Sequence, residues 1–196
     1  GAYVNQLRLT LAAGGQDGGA LDVEALAGAW AAAIARHPIL RTRFDWRHGG
    51  SALQIVMRQV TLPVDVHELS AGPEGYEARL ADWRAADLRR GFDLGVAPLM
   101  RITLFRRPDG GHDLIWTTHH ALTDGWSTAR LLREVAREYD ARVDGGAVEI
   151  SPTPPYRDYV AWMRRQPAPE AWWRAEAARI ADPAGITEAL GRPMRP

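Results

Sequence analysis

The sequence predicts an α+β protein in which helices cover a mixed β-sheet. Two observations carry this. Short runs rich in apolar and β-branched residues, at 3–11, 40–46, 53–57, 98–106 and 114–118, alternate with longer stretches whose apolar residues recur at helical spacing. Turns rich in Gly, Pro and Asp sit between neighbouring strands at hairpin distance. No internal repeat and no second domain are visible, and 196 residues are enough to bury one sizeable core.

Taken in order, Tyr3 to Leu11 is a half-buried strand, because Asn5, Leu7, Leu9 and Leu11 alternate with Val4, Gln6, Arg8 and Thr10. A Gly-rich loop then leads to Asp22, an N-cap for a helix in which Val23, Leu26, Trp30, Ala33 and Ile34 share one face. Pro38 ends that helix. A second strand has Leu40, Thr42, Phe44 and Trp46 on an apolar face and Arg41, Arg43 and Asp45 on a charged one. His48-Gly49-Gly50 turns it, and Leu53 to Met57 returns as a third strand. Leu62 to Leu69 is an extended connection with a surface histidine, His67.

Pro73 to Arg90 reads as a helix with Tyr76, Leu80, Trp83 and either Asp87 or Leu88 along one side, stopped by Gly91. Pro98 to Arg106 is a strand, Pro108-Asp109-Gly110-Gly111 a turn, and the strand from Leu114 its hairpin partner. Trp126, Leu131, Leu132, Val135 and Tyr139 mark a further helix. After a polar loop with several prolines, two short helices fall near Tyr156 to Gln166 and Pro169 to Ile180. The tryptophans are expected to pack in the core or between helices.

The stretch Asp113 to Ser127, DLIWTTHHALTDGWS, stands out within this plan. A buried strand ends on two adjacent histidines, and a tight turn with Asp124-Gly125 opens the next helix. Alternation puts His119 and His120 on opposite faces, with His120 on the face of Thr118 and Trp116. An imidazole titrates near neutral pH, so one facing a cleft can take a proton from an attacking nucleophile. Taken singly, both histidines also read as ordinary strand-end residues and Asp124 as a helix cap.

Jointly, His119, His120, Asp124 and Gly125 form His-His-x-x-x-Asp-Gly, which resembles the active-site motif of the condensation domains of nonribosomal peptide synthetases, similar in fold to chloramphenicol acetyltransferase. Three more stretches resemble that family in the same order: Arg36 to Phe44 its RHxxLRTxF segment, Phe92-Asp93-Leu94 with Ala97-Pro98-Leu99 its FDL and PL segment, and Tyr156-Arg157-Asp158-Tyr159 its YxDY segment. The resemblance implies a chloramphenicol acetyltransferase-like lobe, a two-layer sandwich. The family's opening SxAQxRxW segment and second-lobe DFGWG segment are not found. Residues 1–180 are therefore expected to be the N-terminal lobe of a condensation domain lacking its first segment, and 181–196 the start of a linker to the C-terminal lobe. A first residue of glycine fits a fragment, expected to be inactive alone.

What the resemblance implies chemically is amide formation between an acyl or peptidyl donor thioester and an aminoacyl acceptor thioester, both on phosphopantetheine arms of upstream and downstream peptidyl carrier proteins. No cofactor would bind the lobe itself. His120 is the candidate base or positioning group, and the Gly125 backbone N–H a candidate oxyanion donor. His119 is expected to be a buried scaffold residue. The resemblance further implies an ion pair of Asp124 with Arg36 or Arg41, whose loss in a buried setting would cost about 3–5 kcal/mol.

Composition sets limits. Net charge is zero, and that balance gives no electrostatic case for nucleic acid or an anionic membrane; all the basic residues are arginine. The absence of cysteine removes disulfides, thiolate catalysis and cysteine-ligated zinc, and no histidine and carboxylate set has metal-ligand spacing. No secretion signal or long apolar span is present, so a cytoplasmic location is expected. Two other readings stay open: an epimerization domain, disfavoured because its pattern places the tryptophan after the serine whereas here Trp126 precedes Ser127, and a catalytically silent lobe that docks carrier proteins.

Overall fold

The computed structural model of the chain describes residues 3–13, 20–46, 52–69, 73–146, 148 and 154–179. The turn expected at His48-Gly49-Gly50, most of the Gly-rich loop before Asp22, and the linker expected at 181–196 lie outside the described residues. Two compact units are present, 1–149 and 150–196. The division falls earlier than the boundary expected at 180/181, which itself lies outside the described residues.

The first unit is built on a four-stranded mixed sheet of order β1-β6-β5-β4, where β1 is Val4–Leu11, β4 Val64–Glu68, β5 Met100–Arg106 and β6 His112–His119. β5 and β6 form the expected antiparallel hairpin, closed by a turn with Gly110 at φ 84°, a left-handed conformation glycine adopts without a Cβ clash. β1 pairs antiparallel with the other edge of β6. Residues 64–68, read from sequence as an extended connection, are instead an edge strand parallel to β5. Only Val64 and Val66 carry the apolar alternation there, and His67 is exposed, stacked on Phe105 at 5.5 Å.

β6 lies between two strands and under helices on both faces, which is why its sequence is apolar or β-branched at successive positions and not alternate ones. On one face Ile102, Leu104, Leu114 and Trp116 pack against α1 (Val23–Arg36), through Leu26, Trp30 and Ile34, and against α3 (Gly125–Val143), through Leu131 and Val135. Trp30 and Trp116 meet with ring centroids 5.2 Å apart, tilted by 55°, and neither indole N–H finds a partner among the described residues. On the opposite face Phe105 and Ile115 meet Tyr76 and Leu80 of α2 (Pro73–Arg90). The mixed sheet covered by helices that the sequence predicts is present. Tyr76, Leu80 and Trp83 form the apolar side of α2 that meets Phe105 and Ile115.

That second face is also polar. Asp113, fully buried, accepts hydrogen bonds from Arg8 through Nε (2.9 Å) and Nη2 (2.7 Å), from Thr10 (2.8 Å), from the Tyr76 hydroxyl (2.8 Å) and from Arg107 (3.3 Å). Burial alone would raise its pKa, but the hydrogen bonds from Arg8, Thr10 and Tyr76 outweigh it and hold the carboxyl at about 2. Asp87 of α2, also buried, joins Thr117, Arg101 and Gln6 in the same way.

The expected second strand is shorter than read. Pro38–Arg41 forms a 3-10 turn, and β2 is Thr42–Asp45, paired with β3, Leu53–Val56. Asp45 is buried while Trp46 is half-exposed, the reverse of the expected two-faced pattern. In the second unit, α4 (Tyr156–Arg165) and α5 (Glu170–Arg179) contain no buried residue. Of the eight tryptophans, Trp30 and Trp116 are core residues and Trp83 is partly buried, whereas Trp46, Trp126, Trp162, Trp172 and Trp173 are at least half exposed. The expectation that they are packing residues is corrected for those five.

Candidate active site

β6 ends on His119, and the chain turns through His120 to Asp124 into α3. The turn is fixed at both ends. The His120 N–H donates to the Tyr3 carbonyl (2.7 Å), extending the ladder with β1 by one rung, and the Leu122 N–H donates to the His119 carbonyl (3.0 Å). The Asp124 carboxylate accepts from the Ser127 N–H (2.7 Å), the N-cap geometry read from the sequence. Hydrogen bonding by the Ser127 hydroxyl first, and by its backbone N–H second, holds the exposed carboxyl below its ordinary pKa.

The two histidines differ in tautomer. His120 Nδ1 lies 2.7 Å from the Thr123 carbonyl oxygen, which can only accept, so Nδ1 carries the proton. In the neutral ring the lone pair is then on Nε2, and the side chain is exposed. His119 Nδ1 accepts from the Ala121 N–H (3.1 Å), so its Nε2 carries the proton instead. His119 is half-buried, and desolvation, with the neighbouring His120, lowers its pKa. The turn thus presents one basic nitrogen and engages the other in the backbone.

A hollow of about 360 Å³ opens beside this turn, lined by Asn5, Gln6, Leu7, Trp116, Thr118, Asp124, Gly125 and Thr128. It lies on the Trp116 and Thr118 face, the face on which the sequence places His120, and it reaches Asp124 and Gly125, although His120 is not among its walls. A Cβ at Gly125 would meet no atom within 4 Å, so packing does not demand the glycine. A larger hollow of about 610 Å³, between Arg43 to Trp46 and Phe92 to Gly95, shares no residue with the motif.

The expected ion pair of Asp124 with Arg36 or Arg41 is not formed. Arg36 bonds Glu134 and reaches Glu138 at 3.6 Å, and His37 Nε2 sits 2.9 Å from the same Glu134. Arg41 donates to the carbonyls of Ile34 (3.0 Å), Met57 and Arg58. Glu134 stands ten residues beyond Asp124 on α3, about 15 Å along the axis, so a guanidinium engaged there is out of reach of the cap. Glu134 is the partner of Arg36 that sequence reading missed; its signal was the Glu134 and Glu138 spacing on the face of α3 turned to α1. Among the described residues no cluster of His, Asp and Glu could hold a metal ion, and no helix is long and apolar enough to cross a membrane.

With this geometry in place, comparison with known proteins defines the class: the family model described as Condensation domain matches residues 11–182, and the chain belongs to that family. Its relatives include much longer synthases. It is 38% identical over 186 residues to a linear gramicidin synthase polypeptide of Brevibacillus parabrevis, covering 93% of this chain and 2% of that protein. It is 39% identical over 158 residues to a chondramide synthase of Chondromyces crocatus, covering 80% of this chain and 4% of that protein. The chain therefore spans a few per cent of the length of these relatives. The cyclization-docking bidomain of a nonribosomal peptide synthetase from Sorangium cellulosum shares the fold, with TM-score 0.72 at 20% identity over 90% of this chain and 34% of that one. The X-domain from teicoplanin biosynthesis, solved in complex with OxyB, gives 0.66 at 30% identity over 84% of this chain and 33% of that one.

Proposed function

We propose that the chain is the N-terminal half of a peptide-bond-forming condensation domain, and that His120 serves the attacking amine. The carrying observation is the His120 Nδ1–H bond to the Thr123 carbonyl, which leaves Nε2 unprotonated in the neutral ring. The α-amino nitrogen of an aminoacyl thioester attacks the carbonyl carbon of the donor thioester. The C–N bond forms, the carbonyl oxygen becomes an oxyanion, and the amine proton passes to His120 Nε2. Collapse breaks the C–S bond, and the imidazolium returns the proton to the leaving thiolate. Proton transfer of this kind contributes about 10²–10⁴-fold, and alignment of the amine by the same nitrogen adds to it. The Gly125 N–H, at the first turn of α3 where backbone donors lack intrahelical acceptors, faces the developing oxyanion. Both thioesters arrive on phosphopantetheine arms of carrier proteins, and His119, Arg36, Arg41 and Asp124 hold the frame.

The test is condensation by the intact domain with carrier-loaded donor and acceptor, wild type against His120→Ala, the product read by mass. Loss of amide by 10²-fold or more with an unchanged circular dichroism spectrum is expected. Normal amide formation by the variant would remove His120 from the mechanism, and scrambling of the α-carbon without amide would favour epimerization. A silent docking lobe is the second reading, favoured by the 30% identity to a domain solved in complex with another protein; absence of any product from the wild type would favour it.

A further inference from the structure

α3 carries two different charge populations, and only the fold separates them. Its glutamates, Glu134 and Glu138, are half-buried and bonded to Arg36, His37 and Arg142. Its remaining arginines, Arg130, Arg133 and Arg137, are exposed and have no ion pair or hydrogen bond among the described residues. Spacings of four, three and four residues place Trp126, Arg130, Arg133 and Arg137 in one stripe, about 16 Å long. Trp126 is 86% exposed, more than any other large apolar side chain described. Asp140 is the one exposed carboxylate of the helix and lies beyond Arg137, so the stripe is net cationic.

We propose that this stripe is the docking face for a phosphopantetheine-bearing carrier domain, a proposal that rests on the function above. The arm is joined to its carrier through a phosphodiester, an anion that a guanidinium matches with two parallel hydrogen bonds. Trp and Arg are also the side chains most enriched where protein interfaces concentrate their binding energy. Trp126 directly follows Gly125, so the stripe begins at the end of α3 that carries the His120 turn. Nothing in the fold of the lobe requires these four side chains, because none of them is buried.

The experiment is steady-state kinetics of the intact domain with one substrate supplied either on a holo carrier domain or as a free pantetheine thioester. Arg133→Glu with Arg137→Glu raises KM for the carrier-borne substrate on the order of tenfold or more with kcat maintained, and the effect shrinks at high salt. Trp126→Ala acts in the same direction, and KM for the free thioester stays put. An unchanged carrier KM, or an equal rise for the free thioester, overturns the proposal. If the wild type forms no amide with either substrate, the function above fails, and docking is judged by titrating this chain with holo carrier. Binding weakened by the charge reversals upholds the face. Equal binding by wild type and variant, no binding, or tighter binding to anionic vesicles than to the carrier overturns it.

Discussion

Asp124 shows how the reading of one residue changes with its surroundings. A buried ion pair would make its loss costly, yet its carboxylate is exposed and bonds only the start of α3. Asp124→Asn, which keeps a capping oxygen, is expected to leave the melting temperature nearly unchanged, and Asp124→Ala to lower it by only a few degrees. A drop of more than about ten degrees on differential scanning calorimetry would restore the ion-pair view. The cap was legible because it is local, three residues from its partner. The carboxylate that Arg36 meets, Glu134 and not Asp124, was not, because it depends on where α1 lies against α3, and sequence spacing does not reveal distances between elements.

Elements were legible where both their start and stop are written in the chain. Pro73 begins α2 and Gly91, at φ 61°, ends it, and the observed bounds Pro73–Arg90 agree with the expectation. β4 was hidden because a short edge strand buries one side weakly and its pairing with β5 is long-range. Between α1 and α3, beside their apolar packing, Glu134 serves Arg36 and His37 together. Burial opposes its ionisation, but the bonds from His37 and Arg36 lower its pKa. Glu134→Ala leaves Arg36 and His37 without it and is expected to destabilise by about 1–3 kcal/mol, read as a lower urea midpoint at unchanged slope.

At the scale of the whole molecule, Asp113 makes stability depend on acid. Its folded pKa of about 2 lies below the ordinary 3.8, so the charged form is favoured by folding. The stabilisation, on the order of 2 kcal/mol, is complete above about pH 4 and is lost as pH falls through 2. Thermal melts between about pH 5 and 2 should show this loss, and Asp113→Asn should flatten that part of the curve. Among the described residues every core side chain lies within 1–149. A chain cut after residue 149 is therefore expected to melt in one cooperative transition; a gradual, non-cooperative melt would contradict it.

The Trp30 and Trp116 rings, close and tilted across the boundary between α1 and the sheet, are also an optical probe that needs no label. Two indoles at 5.2 Å and 55° couple their strong ultraviolet transitions, and the coupling falls off steeply with separation. A paired positive and negative band in circular dichroism thus reports whether α1 is seated. A folding experiment can follow that seating apart from the formation of helix itself, and Trp30→Phe would silence the signal while α1 stays in place.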